Sequence, residues 1–149
     1  MLRKKLQMLL LKCRKKQKKN NLTILCQNAY RSHESQNYIY NDYLRSKGDD
    51  WTNKHEAKAG FSEYQTGLSL DIINGKNENI NDFQNTKEFQ WLIKNAYKYG
   101  FILRYPEGKE DITGFAYTPY HFRYVGKKAS KIIWSEGITL EEYYEYFEK

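Results

Sequence analysis

The sequence predicts an α+β fold, in which helices pack against a small and mainly antiparallel sheet. Four short apolar runs with β-prone residues predict strands, at 22–26, 68–72, 101–105 and 121–125. Segments with apolar residues at helical spacing lie between and after these runs, at 32–45, 89–100, 129–135 and from 139 onward. No repeat, low-complexity tract or linker divides the chain, so we expect a single domain over residues 1–149.

Capping residues set the expected ends of these helices. Ser32 can cap the first of them, with Gly48 beyond its end. Gly100 stops the second helix, and Thr139 with Glu142 forms a capping box that opens the last one. Polar, Gly- and Asn-containing stretches predict loops at 49–61, 74–82 and 106–120.

The positive charge of the chain is confined to its first segment. The formal net charge is +7, but residues 1–21 hold nine of the 25 basic residues and no acidic one. The remaining 16 basic and 18 acidic residues give a net charge of −2. Nucleic-acid-binding domains usually spread basic residues over a face or groove, so we expect no nucleic-acid partner.

The basic segment 1–21 also predicts a helix. Leu2, Leu6, Leu9 and Cys13 recur at helical spacing between Lys and Arg residues. This amphipathic first helix fits packing on the core, and attachment to a membrane surface is the alternative. The apolar run from Met8 to Leu11 is too short for a signal peptide, and no stretch is long enough to span a membrane.

Three segments combine residues typical of a polar site. They are NAYRSHESQ at 28–36, GFSEYQTGLSLDI at 60–72 and YTPYHFRYVG at 117–126. These segments place Arg31 directly after a strand, Asp71 within a strand and His121 at the opening of another. Loops that bring such side chains to one end of a sheet are a common setting for function, so we expect all three in one cleft.

The second and third segments resemble the VanY-type D-alanyl-D-alanine carboxypeptidases, zinc peptidases that trim the terminal D-Ala from peptidoglycan stem peptides. That family carries Ser-x-His-x-x-Gly-x-x-x-Asp, followed downstream by Glu-x-x-His. Ser62 to Asp71 follows the first pattern with Tyr64 in the His position. Thr118 to His121 follows the second pattern with Thr118 in the Glu position.

The first segment and the connecting residues extend the resemblance. Tyr30-Arg31-Ser32 with Gln36 matches the family, as does the stretch YGFILRYPEGKEDITG at 99–114. The likeness runs from about residue 5 to residue 147. It implies the fold shared by D-Ala-D-Ala carboxypeptidases and hedgehog-like zinc peptidases.

The resemblance also implies a role for each matching residue. Three positions would hold zinc, those of Tyr64, Asp71 and His121. Arg31 would stabilise charge that develops on the scissile carbonyl, and the Glu that activates water is Thr118 here. The residues implied to bind the substrate are Gln36, Ser62 and Tyr120.

The two substitutions predict impaired chemistry. A phenol must lose a proton with a pKa near 10 before it becomes a good ligand, and Thr has no group that titrates near neutral pH. We therefore expect weak or absent zinc binding and weak or absent turnover. The alternative is an active zinc D,D-carboxypeptidase with Tyr64 as ligand, and a lesser one is a binder of anionic surfaces or nucleic acid through the basic helix. His33 and His55 are expected to be exposed loop residues and not substitute ligands.

The resemblance implies a partner and a compartment as well. The expected partner is a peptidoglycan stem peptide ending in D-Ala-D-Ala, bound by a monomer in the cell wall or outside the cell. Family members usually begin upstream of the first helix, so we expect an N-terminus that is truncated. Because the sequence carries no export signal, the chain would be cytoplasmic if its first residue is the genuine start.

Overall fold

The structure is a computed structural model that describes residues 21–75 and 80–148, apart from the side chain of residue 81. The helix predicted within residues 1–21 therefore lies almost wholly outside the described residues. No helix in the described part of the chain combines the length and the apolar character that crossing a membrane requires.

Four antiparallel strands form one sheet, which confirms the predicted α+β class. The strands are β1 (Leu25–Asn28), β2 (Ser69–Ile73), β3 (Phe101–Tyr105) and β4 (Thr118–Tyr124). Their spatial order is β1-β2-β4-β3, so β2 and β4 are the two central strands. The first strand starts at Leu25 and not at residue 22, and β4 begins three residues before the predicted position 121.

Six α-helices surround this sheet in the described part of the chain. They are α1 (His33–Lys47), α2 (Asp49–His55), α3 (Lys87–Asn95), α4 (Glu110–Thr113), α5 (Lys127–Glu136) and α6 (Leu140–Phe147). Shorter 3₁₀ turns cover Glu63–Thr66, Ile80–Asn85 and Ala96–Tyr99. The predicted caps at Ser32 and Thr139 are present, the latter as a complete capping box.

Two predicted loops contain helical turns. Residues 49–61 were expected to be irregular, but α2 occupies the first seven of them. Asp49 and Asp50 lie in its first turn, where carboxylates stabilise the positive end of a helix. The sequence lacks apolar periodicity there because α2 is polar on most sides and buries only Thr52. The loop 106–120 likewise holds the short helix α4.

The hydrophobic core lies beneath the central strands. Leu70 of β2 and Phe122 of β4 are almost fully buried, and they pack with Phe89 and Leu92 of α3. A second cluster joins Ile102 of β3 to helices α5 and α6. Burial of these side chains anchors β2 and β4, which carry Asp71 and His121.

Candidate active site

The two central strands bring together the two unaltered ligand positions. Asp71 of β2 and His121 of β4 are directly paired across the antiparallel ladder. Side chains of such a pair project from the same face of the sheet at close range. Both are buried, with 2 % and 4 % of their surface exposed. The third position comes from the 3₁₀ turn before β2, which carries Tyr64 and ends at Gly67 with a φ of 67°.

The polar atoms of these three side chains converge at one point. The Tyr64 hydroxyl donates a hydrogen bond of 2.6 Å to Asp71 Oδ1. His121 Nδ1 lies 3.0 Å from that hydroxyl oxygen and 3.0 Å from Asp71 Oδ1. Asn28 donates to the other carboxylate oxygen of Asp71 at 2.8 Å. We call Tyr64, Asp71 and His121 the triad.

The charges around the triad shift the pKa values of its members. Burial alone would lower the pKa of His121, but hydrogen bonds and charges from Asp71 and Glu63 outweigh it and raise the pKa above its ordinary value. Burial would likewise raise the pKa of Asp71, but hydrogen bonds from His121, Tyr64 and Asn28 lower it. Burial and the neighbouring Asp71 carboxylate raise the pKa of Tyr64 well above its usual range. Without metal, these shifts favour a neutral phenol at Tyr64 and an ionised carboxylate at Asp71.

A second carboxylate supports His121 from the other side of its ring. Glu63 Oε2 lies 3.4 Å from His121 Nε2, and Ser69 donates to the same oxygen at 2.8 Å. Arg104 Nε and Arg123 Nη1 contact Glu63 Oε1 at 2.7 and 3.2 Å. Burial would raise the pKa of Glu63, but His121 and the two arginines hold it far below its usual range. Glu63 is thus a fixed negative charge behind the imidazole.

Arg31 lies on the Tyr64 side of the cleft. Its guanidinium carbon is 4.2 Å from the centre of the Tyr64 ring, and its backbone amide donates to the Tyr64 carbonyl at 3.3 Å. Its Nη1 forms a 3.0 Å ion pair with Glu56. The Arg31 side chain is therefore held in place by a ring on one side and a carboxylate on another.

Gln36 occupies a different place from the one expected of a substrate-binding residue. Its side chain is completely buried, with 0 % of its surface exposed. Its amide nitrogen donates to Glu56 Oε1 at 2.7 Å and to the Ala57 carbonyl at 2.6 Å, while its oxygen faces Arg31 at 3.4 Å. Because these partners take up its polar atoms, Gln36 orients Arg31 and Glu56 from beneath the cleft. Direct contact of Gln36 with substrate stays a prediction.

A cavity of about 700 Å³ opens in front of the triad. Its walls include Arg31, Asp71 and His121, so the predicted clustering of these three residues is observed. The other predicted residues that line it are Ser62, Tyr64, Thr118 and Tyr120. Burial and the nearby Asp71 charge raise the pKa of Tyr120 to about 12, so its phenol is neutral in this wall.

The side chain of Thr118 cannot act as a general base. Its hydroxyl donates a 3.0 Å hydrogen bond to the carbonyl of Ala116, two residues earlier. The side chain lines the cavity at the start of β4, where the sequence resemblance places the family's Glu. A neutral hydroxyl in this position cannot take up a proton at neutral pH.

Several residues of the site were not identified from the sequence. Glu63 is one of them, and its carboxylate lies behind His121. Asn28 and Glu56 contact Asp71 and Arg31, and the Tyr105 ring stacks on His121 with ring centres 5.3 Å apart. These contacts join segments far apart in sequence, so no local spacing could have indicated them.

The two remaining histidines lie on helices and not in the expected loops, and His55 lines the same cavity as the triad. His33 is exposed at the first position of α1. His55 ends α2, where its ring stacks on Trp51 and its Nδ1 contacts the Trp51 carbonyl at 2.7 Å. Within residues 21–75 and 80–148, no three His, Cys, Asp or Glu side chains are grouped to hold a metal ion. Tyr64 contacts both Asp71 and His121.

Comparison with known proteins decides the family. The family model described as VanY, D-alanyl-D-alanine carboxypeptidase, matches residues 1–127. The chain belongs to the VanY family. It is 44 % identical over 134 residues to the putative carboxypeptidase YodJ of Bacillus subtilis, an alignment that covers 89 % of this chain. The chain spans about half the length of that relative, 49 %.

Solved structures of the VanY family share the fold. A structure of the LdcB LD-carboxypeptidase, described in terms of peptidoglycan recognition, has a TM-score of 0.87 and 42 % identity, covering 95 % of this chain and 67 % of the other. VanYB in complex with D-alanine-D-alanine has a TM-score of 0.83 and 30 % identity, covering 95 % and 81 %. A VanY E175A mutant in complex with Zn(II) has a TM-score of 0.80 and 31 % identity, covering 92 % and 80 %. The chain is thus a D-Ala-D-Ala carboxypeptidase-like domain with the fold of the VanY and LdcB enzymes.

Proposed function

We propose that this VanY-family domain binds peptidoglycan stem peptides ending in D-Ala and hydrolyses them slowly or not at all. The observation that carries this proposal is the hydrogen bonding of the Tyr64 phenol to both Asp71 and His121. Asp71 and His121 are the two unaltered positions of the family's metal site. The Tyr64 hydroxyl contacts Asp71 Oδ1 and His121 Nδ1, the atoms of these residues that face the cleft. We further propose that residues 1–149 act as one domain and as a monomer.

Weak zinc binding follows from the state of the three donors. Bound zinc would supply Lewis acidity and an activated water to this site. The phenol of Tyr64 would first have to lose its proton beside the Asp71 carboxylate, and that carboxylate and burial both oppose the loss. The raised pKa of His121 opposes metal binding in the same direction, because a zinc ligand must be the neutral imidazole. The donor set of this chain therefore does not fit the zinc site of the family, in which two neutral imidazoles and one carboxylate are implied.

The absence of a general base at position 118 would impair hydrolysis independently of weak zinc binding. A positioned general base contributes about 10²–10⁴-fold to a rate, and Thr118 has no group that can do this. Glu63 cannot replace it because two arginines and His121 hold its carboxylate behind the imidazole. Glu56 is engaged by Arg31 and Gln36. Each carboxylate near the triad thus has another role.

The residues that line the cavity support the proposal that the chain still binds a peptide. Ser62 and Tyr120 line the cavity, and Arg31 is held at its wall by Glu56 and Tyr64. The similarity to VanYB in complex with D-alanine-D-alanine supports a D-Ala-D-Ala end as ligand. The similarity to the LdcB LD-carboxypeptidase supports a test of an L,D-linked terminus in parallel.

Three measurements test this proposal. The first is zinc content after dialysis against a mild chelator, the second is D-Ala release from a pentapeptide ending in D-Ala-D-Ala with zinc added, and the third is binding of that pentapeptide to the unmodified chain. We expect little zinc and little release from the unmodified chain, together with measurable peptide binding. The double variant Tyr64→His/Thr118→Glu should gain far more activity than the two single variants together, because ligand and base act on one water molecule.

The matched control for restoration is Tyr43→His with Thr118→Glu. Tyr43 lines the same cavity beside Trp51, so this variant adds an imidazole to the cleft at a different point. We expect no restored D-Ala release from it. Activity of the unmodified chain that equals the Tyr64→His/Thr118→Glu variant would overturn the proposal, and so would an absence of peptide binding.

The second candidate is an active zinc D,D-carboxypeptidase in which Tyr64 is a ligand. The observation that favours it is the position of the Tyr64 hydroxyl within 3.0 Å of the polar atoms of both Asp71 and His121. This candidate requires stoichiometric zinc in the purified chain that Tyr64→Phe removes. It also requires D-Ala release without any added carboxylate at position 118.

A further inference from the structure

We propose that the triad is a binding site for ferric iron, Fe³⁺, and prefers this cation over Zn²⁺. Metal choice at the triad is independent of whether the cleft binds a peptide. This chain differs from the pattern it resembles because Tyr64 supplies a phenol where the pattern has an imidazole. The combination of phenol, carboxylate and imidazole selects among cations by its geometry, its charge and its donor type.

The geometry supplies three donor atoms in one place. Tyr64 Oη, Asp71 Oδ1 and His121 Nδ1 lie 2.6 to 3.0 Å from one another. Zinc-protein bonds to such N and O donors are about 2.0–2.2 Å long, and bonds of that order from one ion can reach all three atoms with small side-chain shifts. The cavity adjoins the triad, which leaves room for water or an anion at further positions of the ion.

The charge of the donor set favours a trivalent cation. With the phenol ionised, Tyr64 and Asp71 contribute two negative charges and His121 none. The implied family set, with imidazole at position 64, contributes only one. The extra negative charge strengthens the attraction to a cation of charge +3 more than to one of charge +2.

The chemical type of the donors also favours Fe³⁺ over Zn²⁺. Carboxylate and phenolate oxygens are hard donors, and imidazole binds iron as well as zinc. Tyrosinate is an established iron ligand in proteins, as in the haem site of catalase. A strongly charged ion also drives deprotonation of the groups that coordinate it, which is the step Tyr64 requires.

The surrounding residues orient the donors for this purpose. Glu63 faces His121 Nε2 at 3.4 Å, so that nitrogen can keep its proton while Nδ1 presents a lone pair to the triad. Asn28 donates to Asp71 Oδ2 and leaves Oδ1 for the metal. The guanidinium of Arg31 lies 4.2 Å from the centre of the Tyr64 ring, where its charge stabilises the phenolate.

Binding of Fe³⁺ here is an exchange of protons for metal. The phenolic proton of Tyr64 passes to solvent as its oxygen coordinates the ion, and His121 coordinates through Nδ1 with its proton on Nε2 beside Glu63. The oxidation state of iron does not change, and no co-reactant is needed. The bound state should absorb visible light, because charge transfer from tyrosinate to Fe³⁺ gives a coloured complex.

The test adds ferric nitrilotriacetate to the purified full-length chain and records the visible spectrum against the reagent alone. We expect a charge-transfer band that saturates at one iron per chain and persists in excess Zn²⁺. Tyr64→Phe should abolish the band and weaken iron retention by at least about tenfold, since it removes a ligand. Tyr43→Phe, which alters another phenol of the same cavity, should keep both. Tyr64→His should lose the band and gain zinc.

Two further measurements separate the loss of a ligand from the loss of the fold. Circular dichroism of Tyr64→Phe checks that the variant is folded, and Asp71→Asn provides a second variant that should lose iron while all tyrosines remain. Resonance Raman spectra excited in the band should show tyrosinate vibrations. Absence of the band in the unmodified chain would overturn the proposal. A band that survives in Tyr64→Phe or Asp71→Asn would also overturn it, because the iron would then be bound by other tyrosines.

Discussion

The two sides of the His121 ring differ in how they are built. On the Nδ1 side, the imidazole meets Tyr64 and Asp71, and this side faces the cavity. On the Nε2 side it meets Glu63, which Ser69, Arg104 and Arg123 also contact. We call these the front side and the back side. The front side holds the altered position, Tyr64, whereas the back side is a dense set of ion pairs.

The back side consists of residues that hold His121 in place, and it extends further into the fold. Arg104 extends the back side to α6 through a bidentate pair with Glu141, whose Oε2 lies 3.0 Å from Arg104 Nη1. The back side and the β2–β4 ladder therefore hold His121 in addition to its contacts with Tyr64.

The largest expected effect comes from the back side. Glu63→Ala should lower the free energy of unfolding by about 3–5 kcal/mol, because it leaves buried cationic partners without their shared carboxylate. Urea denaturation of the metal-free protein measures this. The control is Asp42→Ala, which removes an exposed ion pair with Arg45 and should change stability by at most about 0.5 kcal/mol. Equal effects of the two variants would contradict the distinction between the two sides.

A smaller effect is expected on the front side. Tyr64→Phe keeps the ring against Arg31 and His121 but removes the hydroxyl that Asp71 accepts from. We expect a loss of about 1–3 kcal/mol in unfolding free energy, the usual consequence of a buried polar group that loses a partner. The measurement is the urea midpoint with unchanged slope. A loss greater than that of Glu63→Ala would show that the front side, and not the back side, holds His121.

The pH dependence of stability reports on both sides together. The pKa of His121 is raised above its ordinary 6.5, so its contribution is fully present below pH 6.5 and is lost as pH rises through the folded value. The pKa values of Asp71 and Glu63 are lowered from 3.8 and 4.5, so their contributions are present above those values and are lost as pH falls. Metal-free protein should therefore be most stable between about pH 4.5 and 6.5.

The alkaline arm of this profile isolates His121. Above pH 6.5, the unfolding free energy should decline by up to about 1.4 kcal/mol per pH unit for this one proton. His121→Gln should flatten the decline, whereas His33→Gln, at the exposed start of α1, should leave it in place. Urea titrations from pH 6 to 9 with a chelator present provide the data. A decline that persists in His121→Gln would assign it to other groups.

The strands and most helices could be predicted because their signals, apolar runs and capping residues, lie within short stretches of sequence. Apolar runs such as FILRY at 101–105 became strands at the predicted positions, and the capping signals at Ser32 and Thr139 were observed. Helix α2 was missed because it buries little apolar surface, so its residues carry no periodic pattern. The ordered motifs were specific enough to indicate the family, which the comparisons confirmed.

Only those residues of the site that belong to sequence motifs could be predicted. Motif spacing placed Asp71 and His121 together, but Glu63 gave no signal because its partners Arg104 and Arg123 lie about 40 and 60 residues further along the chain. Gln36 was assigned to the substrate by resemblance, and its burial against Glu56 and its contact with Arg31 gave no signal in the sequence. Long-range contacts of this kind depend on the tertiary fold and are absent from local spacing.

The smallest expected effect refines the description of the back side. Ser69 is completely buried on β2 and donates its hydroxyl to Glu63 Oε2 at 2.8 Å. Ser69→Ala should lower the unfolding free energy by about 0.5–1.5 kcal/mol, while Ser46→Ala on the exposed face of α1 should cause no such loss. In a Glu63→Ala background, Ser69→Ala should have a smaller effect, because the acceptor of its hydrogen bond is already gone. Strict additivity in this double-mutant cycle would mean that Ser69 contributes through packing alone, and that its hydroxyl does not hold the carboxylate behind His121.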